Sequence, residues 1–225
     1  MHKGNDSMKW RLFTAALLIA GLSNSAYAQE YMFTYSKLYS PLKHNLKQLD
    51  SDVKVGLFFT NFATKQPCSI EKAWMEKEQH HEDLRISENG EVNVPVDDNL
   101  RSANPLVYIH TPANARCDYS LVVLTKKPFF GNIDHSQLEV TATEMQNLLG
   151  DLGGMFSSWF APDIEGVTLE FIPGVSTEIL LSNGKVIPVS EQGKAILKLS
   201  DLRDGVTADI PVKTQRVMPY IKQQA

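Results

Sequence analysis

Apolar residues change their spacing repeatedly along this chain, and each change marks a predicted element. Tyr35, Leu38, Tyr39, Leu42, Leu46 and Leu49 recur at steps of three and four, one face of a helix within residues 31–50. Ser40-Pro41 fit an N-cap followed by proline at the first helical position. The regular helix would then start at Pro41, with residues 31–39 a turn or kinked extension. From Val53 the spacing falls to two, and Val53, Val55, Leu57 and Phe59 share one face of a strand. Short strand-like runs follow at 70–75, 84–87, 91–96, 106–110 and 119–125, with Asn89-Gly90 a hairpin signal between two of them.

Helical spacing returns over 136–152, where Leu138, Ala142, Met145, Leu149 and Leu152 lie on one face. Ser136 and Glu139 suit a capping box, and Gly153-Gly154 a stop. Beyond it Val167, Leu169 and Phe171 alternate. Runs at 179–181 and 185–189 flank a second hairpin signal, Asn183-Gly184. Ala195, Leu197 and Leu199 alternate in turn, and 210–212 and 216–221 close the pattern. The predicted class is α+β: mainly antiparallel β in sandwich-like segments, with an N-terminal helix and a central helix. A faint echo links the β segments at an offset of 103. Glu88-Asn89-Gly90, then Val92, Val94, Val96 and Asp98, is matched by Glu191-Gln192-Gly193, then Ala195, Leu197, Leu199 and Asp201.

The N-terminal 28 residues stand apart from this periodicity. Lys9 and Arg11, a short apolar run from Leu12 to Leu22, and Ala26-Tyr27-Ala28 compose a signal peptide cut before Gln29. The run falls short of the roughly 20 residues that span a bilayer. Met8 begins a more ordinary signal peptide than Met1 does. The expected division is 1–28 signal peptide, 29–130 N-terminal helix with a disulfide-tied β-domain, 131–162 connecting helix and apolar segment, and 163–225 C-terminal β segment. Of the 22 basic and 26 acidic residues, the leader takes Lys3, Lys9, Arg11 and Asp6, leaving a net charge of −6. That balance speaks against nucleic acid and anionic lipid, both of which ask for a basic surface. In an oxidising compartment the two cysteines, Cys68 and Cys117, are expected to pair across a loop of about 50 residues, since neither C-x-x-C spacing nor clustered ligands suggest redox or metal chemistry.

Candidate chemistry is sparse. His80-His81-Glu82-Asp83 is rich in ligand types, but adjacent histidines point to opposite faces of a strand and do not share an ion, so a solvated polar loop is expected. Asp97-Asp98-Asn99 lacks the EF-hand spacing and reads as a turn. There is no G-x-S-x-G elbow. No catalytic, cofactor-binding or metal residue is assigned. Met155, Phe156, Trp159 and Phe160 form a bulky apolar stripe, expected as a latch and, failing that, as a patch for a partner.

The stretches Phe33 to Tyr39, Val53-Lys54-Val55-Gly56, Ala73 to Glu78, Ala103-Asn104-Pro105-Leu106 and Leu152 to Phe160 resemble a family of exported gammaproteobacterial proteins. The family is known only as a domain of unknown function, family 2987. The resemblance implies an extracytoplasmic, periplasmic setting in a Gram-negative cell and brings no activity or site residue. The resulting expectation is a non-enzymatic binding or envelope-associated module for an envelope protein or ligand. The alternative is a hydrolase of an envelope polymer. A pocket of convergent carboxylates or a Ser/His pair would favour the hydrolase, and a flat apolar or sheet-edge surface the module.

Overall fold

A computed structural model describes residues 29–47, 50–114, 116–153 and 163–221. Every strand pair is antiparallel. The chain opens with strand β1 (Gln29–Thr34), helices α1 (Tyr35–Leu42) and α2 (His44–Lys47), and strand β2 (Val53–Asn61). Strands β3 (Lys72–Lys77) and β4 (His80–Asp83) form a hairpin, followed by helix α3 (Asp98–Ala103), β5 (Leu106–Thr111) and β6 (Cys117–Thr125). Then come β7 (Gly131–Ile133), the long helix α4 (His135–Gly153) and β8 (Ile164–Glu170). The hairpin β9 (Glu178–Leu181) and β10 (Val186–Pro188) precedes β11 (Lys194–Lys198), a 3-10 segment (Leu199–Gly205), β12 (Ala208–Ile210) and β13 (Arg216–Ile221).

This order is one unit written twice. The first sheet runs β1-β5-β3-β4, and another runs β7-β12-β9-β10. Strand β2 pairs with β6 and bridges to Val92, as β8 pairs with β13 and with β11. The helices α1 and α2 follow β1, as α4 follows β7, and the repeat boundary falls between β6 and β7. The echo at 103 residues is the best-preserved part. Ser87 donates its amide to the Glu91 carbonyl and Gly90 donates to Ser87, each at 2.9 Å; Ser190 with Lys194 and Gly193 with Ser190 repeat both bonds at 2.8 Å. Leu84, Val92 and Val94 are buried, and so are Ile187, Ala195 and Leu197. One hydrophobic cluster runs from Phe33 to Val217 through both repeats.

Helix α4 buries Leu138, Thr141, Ala142, Met145 and Leu148 against β8, β2, β6 and the 3-10 segment. Each large side chain there contributes about 1.5–3 kcal/mol. Leu149 and Leu152 are only half-buried, so the buried stripe runs through Leu148 instead. The cap also differs from expectation. Asp134 and Gln137 exchange side-chain to backbone bonds of 2.8 and 3.1 Å, two positions earlier than Ser136 and Glu139.

Further expectations are corrected. Residues 31–34 belong to a strand, because Phe33 faces the core while Glu30 and Met32 face out, a period of two. The helix then starts at Tyr35, leaving Pro41 inside it rather than at its start. His80–Asp83 is an exposed edge strand rather than a loop. Residues 84–87 and 91–96 carry only the bridges of Ile86 and Leu57 to Val92. Asp97 caps α3, its carboxylate accepting from the amides of Asn99 and Leu100.

Candidate functional site

The expected disulfide is present: Cys68 and Cys117, 49 positions apart in sequence, are bonded, with Cα atoms 6.3 Å apart. Cys117 opens β6 opposite Asn61, the last residue of β2, and the amide of Cys68 donates to the carbonyl of Phe59. The bond therefore fixes the loop after β2 against its own sheet. That loop is one wall of a cleft of about 700 Å³. The opposite walls come from the second repeat, at Phe171 and Pro173 after β8 and at Gln215 before β13. Both equivalent turns, Glu88-Asn89-Gly90 and Glu191-Gln192-Gly193, line it. Its size and its place between two units are those of a ligand site.

The floor of the cleft carries charge that burial ought to exclude. Glu170 and Arg216 are 5% and 9% exposed. Arg216 Nε donates to Glu170 Oε2 at 2.6 Å, and Nη2 reaches the same oxygen. Lys194 Nζ holds the other oxygen, Oε1, at 3.0 Å. The Arg216 guanidinium lies 4.9 Å from the centre of the Phe58 ring, which comes from the first repeat. These four residues meet because β11, β8 and β13 are neighbours in one sheet and β6 of the first repeat packs beside β13. Phe58 is opposite in direction to Val55, Leu57 and Phe59, and it is buried all the same because the second repeat covers that face.

The repeat supplies an internal comparison. Register places Phe58 where the second repeat has Glu170, Ser120 where it has Arg216, and Glu91 where it has Lys194. The architecture is therefore built without the triad in one copy. A buried ion pair contributes little net stability, and a role beyond packing is its better account.

The histidines of β4 belong to a different surface. Trp74 stacks on Tyr108 with ring centres 5.1 Å apart and on His81 at 6.0 Å, while His110 meets it edge-on at 4.8 Å. Tyr108 sits on β5 and His81 on β4, so the two flank Trp74 from opposite sides and both its faces are taken. His110 reaches Glu30 at 2.6 Å, and the hydrogen bond to His81 holds the Asp83 carboxyl below its ordinary pKa. This is a cross-strand cluster that braces a sheet face. No group of three or more His, Cys, Asp or Glu among the described residues is placed to hold a metal ion. No helix among them is long and apolar enough to cross a membrane. Met155, Phe156, Trp159 and Phe160, and the leader up to Ala28, lie outside the described residues.

Residues 27–171 match the model of the family described as a protein of unknown function, DUF2987. The chain belongs to that family. In this DUF2987 chain the matched stretch takes in the whole first repeat with α4 and β8, so it includes Glu170 and stops before Lys194 and Arg216. No curated protein and no solved structure matches the chain.

Sequence reasoning missed Glu170, Lys194 and Arg216. Alternation along β8 puts Val167 and Leu169 inside and Glu170 outside. Only the docking of the other repeat turns that outside into an interior. The one available signal was the echo itself, whose two turns meet at the cleft.

Proposed function

We propose that this DUF2987 protein is an exported, non-enzymatic binding module of the periplasm, with the inter-repeat cleft as its ligand site. The observation that carries the proposal is the Glu170–Arg216–Lys194 triad in the floor of a cleft of about 700 Å³, absent from the equivalent place in the first repeat. Export is supported by Lys9, Arg11, the apolar run and Ala26-Tyr27-Ala28, and by a disulfide suited to an oxidising compartment.

Carboxylates line the cleft, yet the hydrolase reading gains nothing from them. Paired-carboxylate catalysis needs one group kept protonated near neutral pH. Arg216 and Lys194 occupy both oxygens of Glu170, so it is not available as either member of such a pair. Ser69 lines the cleft without any histidine beside it among the described residues.

The test is to add a soluble digest of cell-envelope glycopeptides to the isotopically labelled protein and follow amide chemical shifts. Shifts confined to Ser69, Asn89, Gln192 and Lys194, with the digest unchanged by chromatography, are expected. Fragments that accumulate with time would hand the cleft to the hydrolase reading. Unchanged spectra at those four residues would remove the site.

A further inference from the structure

We infer that the cleft recognises a single carboxylate set beside an amide, the chemistry of a peptide C-terminus; this rests on the reading of the cleft as a ligand site. At the floor two cations, Lys194 and Arg216, face one carboxylate, Glu170, which leaves one positive charge there, while Glu88 and Glu191 on the turns bring the whole lining to −1. An isolated charge in a partly buried place favours a ligand that brings its opposite. Arg216 is nearly enclosed and directs Nε and Nη2 at Glu170, whereas the Lys194 side chain is 38% exposed. Lys194 Nζ lies 3.0 Å from Glu170 Oε1, and an ammonium with three N–H donors has capacity for a further acceptor. Lys194 is therefore the group an incoming carboxylate meets, and the resulting hydrogen bonds are charge-assisted.

The walls specify what accompanies that carboxylate. Gln66, Asn89, Gln192 and Gln215 line the cleft, and each primary amide offers both a donor and an acceptor. That is the complement of a peptide unit, which presents one of each. Phe171 and Pro173 add apolar wall for a small side chain. Glu88 and Glu191 stand exposed on the two turns. They penalise a ligand with several negative charges, such as a phosphorylated or polyanionic one, more than a singly charged carboxylate paired with Lys194. Free small carboxylates share the anionic group but lack the amide, so the two sources are separable.

The probe is N-acetyl-alanyl-alanine, titrated by calorimetry and by amide chemical shifts into the mature disulfide-bonded protein. Its C-terminal amide and sodium acetate serve as the other arms. The dipeptide acid is expected to bind at least ten-fold more tightly than either, with affinity falling as salt is raised. Lys194→Met should weaken it at least ten-fold. Gln192→Ala, on an exposed turn, should weaken it several-fold with an unchanged melt. Equal binding of acid and amide would overturn the inference, as would acetate matching the dipeptide, or Lys194→Met binding like the parent. If the envelope digest shifts the cleft residues and the dipeptide acid does not, the ligand class is wrong and the cleft stands. If neither shifts them, both readings fall together.

Discussion

Arg216→Met tests the triad most directly. The change keeps an unbranched side chain of similar length over Phe58 and removes the guanidinium. Glu170, 5% exposed, is then left with Lys194 at 3.0 Å as its one remaining cation. Breaking a buried pair by removing one partner costs about 3–5 kcal/mol. Lys194 still neutralises one oxygen, and the thioether keeps part of the contact with Phe58, so the low end of that range, about 3 kcal/mol, is expected. With a urea slope of about 2 kcal/mol/M for a chain of this size, the midpoint moves down by about 1.5 M. The companion variant, Glu170→Leu with Arg216→Met, removes both buried charges and leaves Lys194 free to turn its ammonium to water. It should unfold within about 1 kcal/mol of the parent, or later than it, because two apolar side chains replace a desolvated pair. The reasoning is refuted if the single variant unfolds within about 1 kcal/mol of the parent. It is refuted equally if the double variant is as unstable as the single, since the pair would then be a net source of stability and the case for a role beyond packing would lapse.

Reduction of Cys68–Cys117, or its replacement by Cys68→Ser with Cys117→Ser, should cost about 4 kcal/mol by loop-closure entropy over 49 positions, read as a urea midpoint with and without reductant; coincident curves would contradict it. Tyr35→Phe should cost about 1–3 kcal/mol, because the buried hydroxyl donates to the Pro95 carbonyl at 2.7 Å and accepts from the Asp97 amide at 2.9 Å. Burial raises the Tyr35 pKa above its ordinary 10, so this stability is present below about pH 10 and lost as the pH climbs through the raised value. A pH series of melts should accordingly show a shallower alkaline decline in Tyr35→Phe than in the parent. Gly90→Ala and Gly193→Ala form a matched pair at φ of 82° and 74°: the first meets open space and should cost about 1 kcal/mol, whereas the second puts a Cβ 2.7 Å from the Phe171 carbonyl oxygen and should cost clearly more, an order that thermal melts will check.

Much of the β framework was legible because each strand follows one period over one covered face. Val53, Val55, Leu57 and Phe59 are buried as their alternation demands, and so are Val167 and Leu169. Asn183-Gly184 turns where its dipeptide says it should, with Gly184 at φ 85°. The failures have local causes. Residues 31–34 were absorbed into the helix because Tyr35, Leu38 and Leu42 are helically spaced, and a short strand feeding directly into that helix leaves no breaker between them. Strand β4 has no apolar residue at all; His80 to Asp83 pair with Lys77 to Trp74 through the backbone, and both faces of this edge lie open to water. Periodicity has nothing to register in such a segment. The cleft was illegible for a different reason. Glu170 and Phe58 each occupy the face that alternation gives to solvent, and only contact between repeats buries them.

In both repeats the residue after the equivalent turn forms an ion pair with the central strand, with opposite sign and at a different position along that strand. In the first copy Glu91 follows the turn and Lys54 of β2 reaches both its oxygens, at 2.8 and 2.7 Å. Glu91 is 6% exposed and the Lys54 side chain 25%, and both line a separate cleft of about 460 Å³ within the first repeat. In the second copy the residue after the turn is Lys194, and its partner on the central strand is Glu170. A lysine there keeps its ammonium within reach of water where a glutamate could not, because its stem is long enough to cover apolar wall and still emerge. Arg216 then adds the second cation, and Phe58 of the first copy gives it a ring to lie on. One copy thus uses this position for a pair within its own repeat, and the other places a charged group in the floor of the cleft between the repeats. A duplicated fold tolerates that divergence because the shared core from Phe33 to Val217 does not depend on which sign the position carries.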